Sequence, residues 1–225
     1  MKNLSANFDC WYMSVCDRYN ANCWENCIRF LEMSKLMQSS NIPLNRQKPV
    51  RLQAPKVDYD AFCRLADIKD NIREFVEQGK NLYITSETTG NGKTSWAIKL
   101  MLKYFDDIWP GNGFNCRGIF VNVPTFLLKC KDFNNKDSSF DELRNRLDSV
   151  DLVIWDDIGS TELSSYDHSQ LLMYIDARCN NCKANIFTGN IVSREKLEKA
   201  IGIKLTSRVL GENTEKIEFK GSDKR

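Results

Sequence analysis

Between the apolar run Asn81-Leu82-Tyr83-Ile84-Thr85-Ser86 and a helix-like stretch from Thr94 to Phe105, the chain reads Thr89-Gly90-Asn91-Gly92-Lys93-Thr94-Ser95. A chain of phosphates needs backbone N–H groups that approach closely, a helix N-terminus, a lysine for the outer phosphates and a hydroxyl for Mg²⁺. Gly90 and Gly92, Lys93 and Thr94 supply these. The full pattern for such a loop also asks for glycine at position 87, where this chain has Glu87, which changes the loop's entry or puts a carboxylate near phosphate. An ordinary glycine turn ahead of a helix is the competing explanation, and strand, loop and helix in the right order weigh against it.

A second constellation lies downstream. Asp151-Leu152-Val153-Ile154-Trp155-Asp156-Asp157 is an apolar strand that ends in paired acids. In that arrangement one carboxylate, here Asp156, orients the water shell of a metal, and its neighbour, here Asp157, polarises an attacking water. Glutamate is common at the second position, and aspartate is shorter in reach by about 1.5 Å, so slow hydrolysis is expected. Alone, acids after a strand also describe a solvated turn.

Two further residues fit the same chemistry. Asn190 ends the apolar strand Ile186-Phe187-Thr188-Gly189, where an amide can hold a water or touch a terminal phosphate, or else cap the helix that starts near Ser193. Arg208, in Leu205-Thr206-Ser207-Arg208-Val209-Leu210, can stabilise charge on a transferring phosphoryl group of a neighbouring subunit, or pair with a surface carboxylate.

These residues need a scaffold, and the chain between them has one. Tyr59 to Gly79 carries two helix-like patterns, YDAFCRLADI and NIREFVEQG. After strand NLYITS and its helix come strand RGIFVNV, helices PTFLLKCKDF and FDELRNRL, and strand LVIW. Helix YDHSQLLMYIDARC, strand ANIFTG, two short helices between Ser193 and Leu210, and strand EKIEFKG complete it. Strands separated by helices imply an α/β fold with a parallel sheet covered on both faces. The 225 residues, with 42% hydrophobic and 28% charged, fit one medium domain with a small appendage and exclude a disordered or low-complexity chain.

Lys and Arg number 32 against 30 Asp and Glu, a net of +2, so any contact with nucleic acid has to come from a local basic surface. No apolar run reaches the ~18 residues of a membrane span, and the start lacks the layout of a signal peptide, so a cytoplasmic protein is expected.

Residues 1–38 hold Cys10, Cys16, Cys23 and Cys27 of the nine cysteines, with four basic and four acidic residues. From Cys23 a helical pattern places Trp24, Cys27, Ile28, Leu31 and Met37 on one side, which reads as a small separate module. Residues 39–57 contain three of the five prolines and Arg46, Lys48, Arg51 and Lys56 without an acid, the composition of an extended basic linker. The four cysteines can hold a tetrahedral Zn²⁺, although C-x2-C pairs are missing among them, or be buried thiols. The pair Cys179 and Cys182 reads as structural, and the single histidine, His168, as a surface or core residue of an amphipathic helix rather than a catalytic one.

Taken in order, SETTGNGKTSWAIKL, LVIWDDIG, NIFTGN and LTSRVLG resemble the AAA+ ATPases that load replicative helicases, the DnaC-like and DnaI-like loaders of bacteria and their phages, over about residues 58 to 220. The resemblance implies an AAA+ type P-loop NTPase fold over residues 58–225, without a C-terminal helical lid. It implies that ATP and Mg²⁺ are bound by the Walker A residues Thr89 to Ser95, with Lys93 and Thr94 central, and by Asp156 of the Walker B pair. Asp157 becomes the activating acid, Asn190 the first sensor and Arg208 an arginine finger. The implied partners are a hexameric replicative helicase, gripped by residues 1–38 with their zinc, single-stranded DNA, and further copies of the chain. Phe126, Lys129 and Lys131, after Pro124, become candidates for the DNA, with a solvated helix face as the alternative for the lysines. Two other readings compete. The helper ATPase of a DNA transposase shares the core and differs in its N-terminal segment, and a P-loop kinase for a small acceptor needs more arginines over the transferred phosphate.

Overall fold

The structure, a computed structural model, describes residue 10 and residues 27–47, 52–132 and 138–221 of the chain. Five strands form a single parallel sheet: β1 (Asn81–Thr85), β2 (Gly118–Asn122), β3 (Leu152–Asp156), β4 (Ala184–Gly189) and β5 (Thr214–Glu218). Their order across the sheet is β2-β3-β4-β1-β5. Register aligns Thr85 with Gly189 and with Glu218, and Asn122 with Asp156, so the carboxyl ends of the strands share one edge.

The described helices are α1 (Ile28–Ser39), α2 (Tyr59–Asp70), α3 (Ile72–Glu77), α4 (Lys93–Ile108), α5 (Val123–Lys131), α6 (Ser138–Leu147), α7 (Ser165–Asn180), α8 (Arg194–Ile201) and α9 (Ile203–Val209). Strand residues alternate between two cores. Leu82, Ile84, Phe120, Leu152, Ile154 and Ile186 face the core built with α1 to α4, whereas Tyr83, Val121, Val153, Trp155 and Phe187 face that of α5 to α9. Both faces are therefore apolar, which is why these strands read as nearly continuous hydrophobic runs. None of the described helices is long and apolar enough to cross a membrane.

Local chemistry sets the helix ends that matter. Pro124 sits in the first turn of α5, where the side chain of Asn122 accepts a hydrogen bond from the Thr125 amide at 3.2 Å. At α7, Ser164 and Asp167 form a reciprocal capping box.

The stretch expected to be a separate module and linker differs from that expectation in its described part. Met33, Leu36, Met37 and Ile42 are buried in the core with Trp96 and Met101 of α4. Phe120 of β2 donates its amide to the Ser40 carbonyl at 2.7 Å, and Asn41 Nδ2 returns a bond to the Phe120 carbonyl at 3.0 Å. Burial of four apolar side chains at about 1.5–3 kcal/mol each outweighs the tendency of a proline-rich stretch to stay extended. The remainder of residues 1–38, with Cys16 and Cys23, lies outside the described residues, as do residues 48–51.

At the opposite edge of the sheet, Arg178 is 0% exposed. Its guanidinium donates to the carbonyls of Leu147 (2.5 Å), Val150 (2.9 Å) and Ala184 (2.7 Å) and to Asn185 Oδ1 (2.8 Å). Burial pushes its pKa down to about 10, which leaves the side chain charged at neutral pH. Asn185 also accepts from Trp155 Nε1 at 3.1 Å and donates to Asn81 Oδ1 at 3.0 Å, so one polar network ties the starts of β1, β3 and β4 together.

Candidate functional site

The loop between β1 and α4 delivers Lys93 and Thr94 to the N-terminus of a 16-residue helix. Gly90 and Gly92 have φ of +71° and +100°, a region that costs other residues energy, so glycine is needed at both. Lys93 is only 6% exposed, and its ammonium donates to the Thr88 carbonyl at 2.8 Å and Asn91 Oδ1 at 3.1 Å. Asn91, also buried, donates to the hydroxyl of Ser86 and to Thr88 Oγ1 at 3.2 Å. The loop is braced from outside as well: Thr88 Oγ1 donates to the Gly221 carbonyl at 2.8 Å, and Asp58 Oδ1 accepts from the Lys220 amide at 2.7 Å. Glu87 is exposed and takes no part in lining the cleft below, so the departure at that position leaves the phosphate-facing surface free of its carboxylate.

The strand ends meet this loop. Thr94 Oγ1 donates to Asp156 Oδ1 at 2.7 Å, joining hydroxyl and carboxylate as a shared Mg²⁺ site requires. Thr188 of β4 donates to the same oxygen at 2.7 Å and accepts from the Asp157 amide at 3.1 Å, while its carbonyl accepts from the Ile158 amide at 2.8 Å. Thr188 thus fixes both acids. Nothing in the sequence marks Thr188, because a threonine inside an apolar strand fits β propensity without any further role. Asp157 adopts φ of +62°, turning the chain directly after β3.

Asn190 follows β4 and lines the cleft, and its Oδ1 is buried without a hydrogen-bond partner among the described residues. The cap of α8 is Ser193, whose hydroxyl accepts from the Lys196 amide at 3.3 Å, so the helix-capping alternative for Asn190 does not apply. Tyr83 and Thr85 hold the loop behind it by donating to the Ile191 carbonyl at 2.7 and 2.9 Å, and burial raises the pKa of the Tyr83 phenol. A side-chain carbon at Gly189 would come within 2.8 Å of the Ile158 carbonyl and the Tyr83 hydroxyl, so this close approach also requires glycine.

Together Thr89 to Ser95, Asp156, Asp157, Ser160 and Asn190 surround a cleft of about 640 Å³, which opens along α4. Its size suits a small-molecule ligand. The donor set fits a nucleotide with Mg²⁺: amide-rich loop, buried ammonium, hydroxyl beside carboxylate, and an unsatisfied buried amide oxygen.

Other expected site residues lie elsewhere. Arg208 on α9 is outside the cleft and its Nε donates to Asp176 Oδ1 of α7 at 2.5 Å. Phe126 is 3% exposed, with ring centroids 5.7 Å from Tyr174 and 6.3 Å from Trp155. That corrects its assignment as a stacking residue for DNA: it shares the inward face of α5 with Val123, Leu127 and Cys130. Lys129 lies over the Phe140 ring at 5.6 Å, and Lys131 pairs with Asp167 at 2.7 Å. Cys10 and Cys27 are partly buried. No group of three or more potential metal ligands of the His, Cys, Asp and Glu types occurs among the described residues.

A parallel sheet in this strand order, with a glycine-rich loop after its β1 and paired acids after its β3, defines an AAA+ type P-loop NTPase fold. Solved structures agree. The DnaC helicase loader superimposes with a TM-score of 0.60 at 20% identity, covering 74% of this chain and 92% of that one. DnaI gives 0.63 at 17%, covering 83% and 95%. The replication initiator DnaA bound to AMPPCP and single-stranded DNA gives 0.54 at 18%, covering 76% of this chain and 49% of that one. The fold is similar to those of the DnaC helicase loader and DnaI. No family model and no curated protein matches the chain.

Proposed function

We propose that this chain is an ATP-dependent loader that delivers a hexameric replicative helicase to single-stranded DNA. The observation that carries this reading is the bond from Thr94 to Asp156, which joins loop and strand in a nucleotide site on a DnaC-like fold. Lys93 neutralises the outer phosphates, Thr94 and Asp156 hold Mg²⁺, and the ion supplies charge stabilisation when bound. Asp157 polarises the attacking water, which Asn190 orients. Slow turnover follows from the shorter acid. Arg208 acts on the nucleotide of a neighbouring copy, leaving its pair with Asp176 to do so. DnaA bound to AMPPCP and single-stranded DNA lends support to both ligands.

The proposed division assigns residues 1–38 to helicase contact, residues 39–57 to the connection, and residues 58–225 to the ATPase. Cys10, Cys16, Cys23 and Cys27 hold one zinc in that scheme, and Lys129 and Lys131 contact the DNA backbone. The test combines two measurements on the full chain. ATP binding should be abolished by Lys93→Ala, and the replicative helicase of the same host or phage should be retained by the immobilised protein. ATP binding without helicase capture under any nucleotide condition would leave an ATPase of another kind, such as the transposition helper.

A further inference from the structure

The cleft has a wall that the phosphate loop does not build. Asn45 and Arg46 line it, together with Met33 and Met37 of α1. The turn Leu44–Arg46 is anchored on both sides. Before it, Ile42 is buried, and Ser40 and Asn41 are bonded to Phe120. Within it, Arg46 donates its amide to the Pro43 carbonyl at 2.8 Å, and after it Gln47 Nε2 donates to the Ile42 carbonyl at 2.9 Å.

The side on which this turn lies follows from topology. Phe120 belongs to β2, and β2 neighbours β3, whose end carries Asp156 and Asp157. The other flank of the loop is taken by Leu52, 3.9 Å from where a side-chain carbon at Gly92 would stand. Arg46 thus lines the same cleft as Asp156 and Asp157, beside which the terminal phosphate of a triphosphate and its metal belong in the reading given above.

Its charge is unspent. Lys93 bonds within the loop, Lys99 lies 5.0 Å over the Trp96 ring, and Lys103 pairs with Asp107. Arg46, half-buried, is the cation lining the cleft whose side chain has no partner among the described residues. A held backbone with a free guanidinium at its tip is preorganised for a phosphate, since little further ordering is needed on binding.

We infer that Arg46 is a second phosphate-binding cation, supplied in cis by the segment ahead of the sheet, which contacts the terminal phosphate of a bound nucleoside triphosphate. This rests on the ATP reading and deepens it. The role is distinct from that of Arg208, which sits outside its own cleft.

The experiment measures ATP and ADP binding separately, with Mg²⁺, for the full chain and for Arg46→Ala, Arg46→Lys and Lys93→Ala. Arg46→Ala should weaken ATP about tenfold or more, the scale of one charge-assisted contact, and leave ADP within about twofold. Arg46→Lys should recover part of the loss. Equal weakening of ATP and ADP, or no change in either, would overturn the role of Arg46 while a parent chain that loses ATP on Lys93→Ala upholds the site. A parent chain that binds neither nucleotide overturns the ATP reading and the inference together. Thermal midpoints of all variants separate contact from folding, and this turn is exposed enough that they should match the parent.

Discussion

The two edges of the sheet are both crowded with polar side chains, and they behave in opposite ways. At the amino-terminal edge, Arg178, Asn185 and Asn81 saturate one another and the surrounding carbonyls, so every nitrogen of the guanidinium donates to a partner of its own chain. At the carboxyl-terminal edge, Asn190 Oδ1 is buried and, among the described residues, neither it nor the guanidinium of Arg46 beside the cleft has a partner. A closed network stabilises, because an unpaired buried polar group costs about 1–3 kcal/mol. An open one tolerates that cost where a ligand completes it. The difference distinguishes a polar cluster that serves the fold from one that serves chemistry.

The largest effect should come from breaking the closed network. Arg178→Ala leaves the carbonyls of Leu147, Val150 and Ala184 without their donor and should destabilise the domain by about 3–5 kcal/mol. Chemical denaturation with a two-state fit checks it, and a loss under about 1 kcal/mol would mean that water replaces the guanidinium. The next is kinetic. Asp157→Asn should keep ATP binding and fold while lowering turnover about a hundredfold, within the range for a missing general base. Steady-state phosphate release reads it, and turnover at the parent rate would place the activating acid elsewhere.

The smallest effect concerns Asp151, at the closed edge. Burial raises its pKa, but the guanidinium of Arg117 and the Tyr104 hydroxyl outweigh burial and hold the carboxyl below its usual range. A depressed folded pKa gives stability that is present above the unfolded value, about 3.9, and is lost as pH falls through the folded one. Asp151→Asn should therefore cost about 1–2 kcal/mol at neutral pH. The gap to the parent should close in acid. A gap that stays constant down to pH 3 would show that the charge of Asp151 is not what matters.

Much of the fold is legible in the sequence because β1 to β4 are buried on both faces and the helices carry their own period. The loop at Gly90 to Thr94 and the acids Asp156 and Asp157 were legible for another reason: glycine, lysine and carboxylate types at strand ends have few other uses together. The strand order was not legible, since β1 pairs with β4 and β5 across long separations that leave no local trace. Arg178 looked like any helix charge, and Thr188 like any strand residue. Arg46 looks like part of a basic linker in the sequence, because proline and charge density conceal the buried anchor Ile42 only four residues away. Phe126 misleads for a related reason: an aromatic next to lysines suits DNA, but its helical spacing with Val123 and Cys130 turns it inward.

The clasp of Ser40 and Asn41 on Phe120 also bears on how copies of the chain can meet. An outermost strand offers unpaired backbone groups as a template for a strand of another molecule. On β2 that template is occupied at its middle residue, and on β5 the Lys216 carbonyl accepts from Arg64 at 3.1 Å, beside an Arg64–Glu215 ion pair. Among the described residues, each margin of the sheet thus carries a partner that disfavours growth by strand addition at that point and leaves helical and loop surfaces as the easier place for copies to meet.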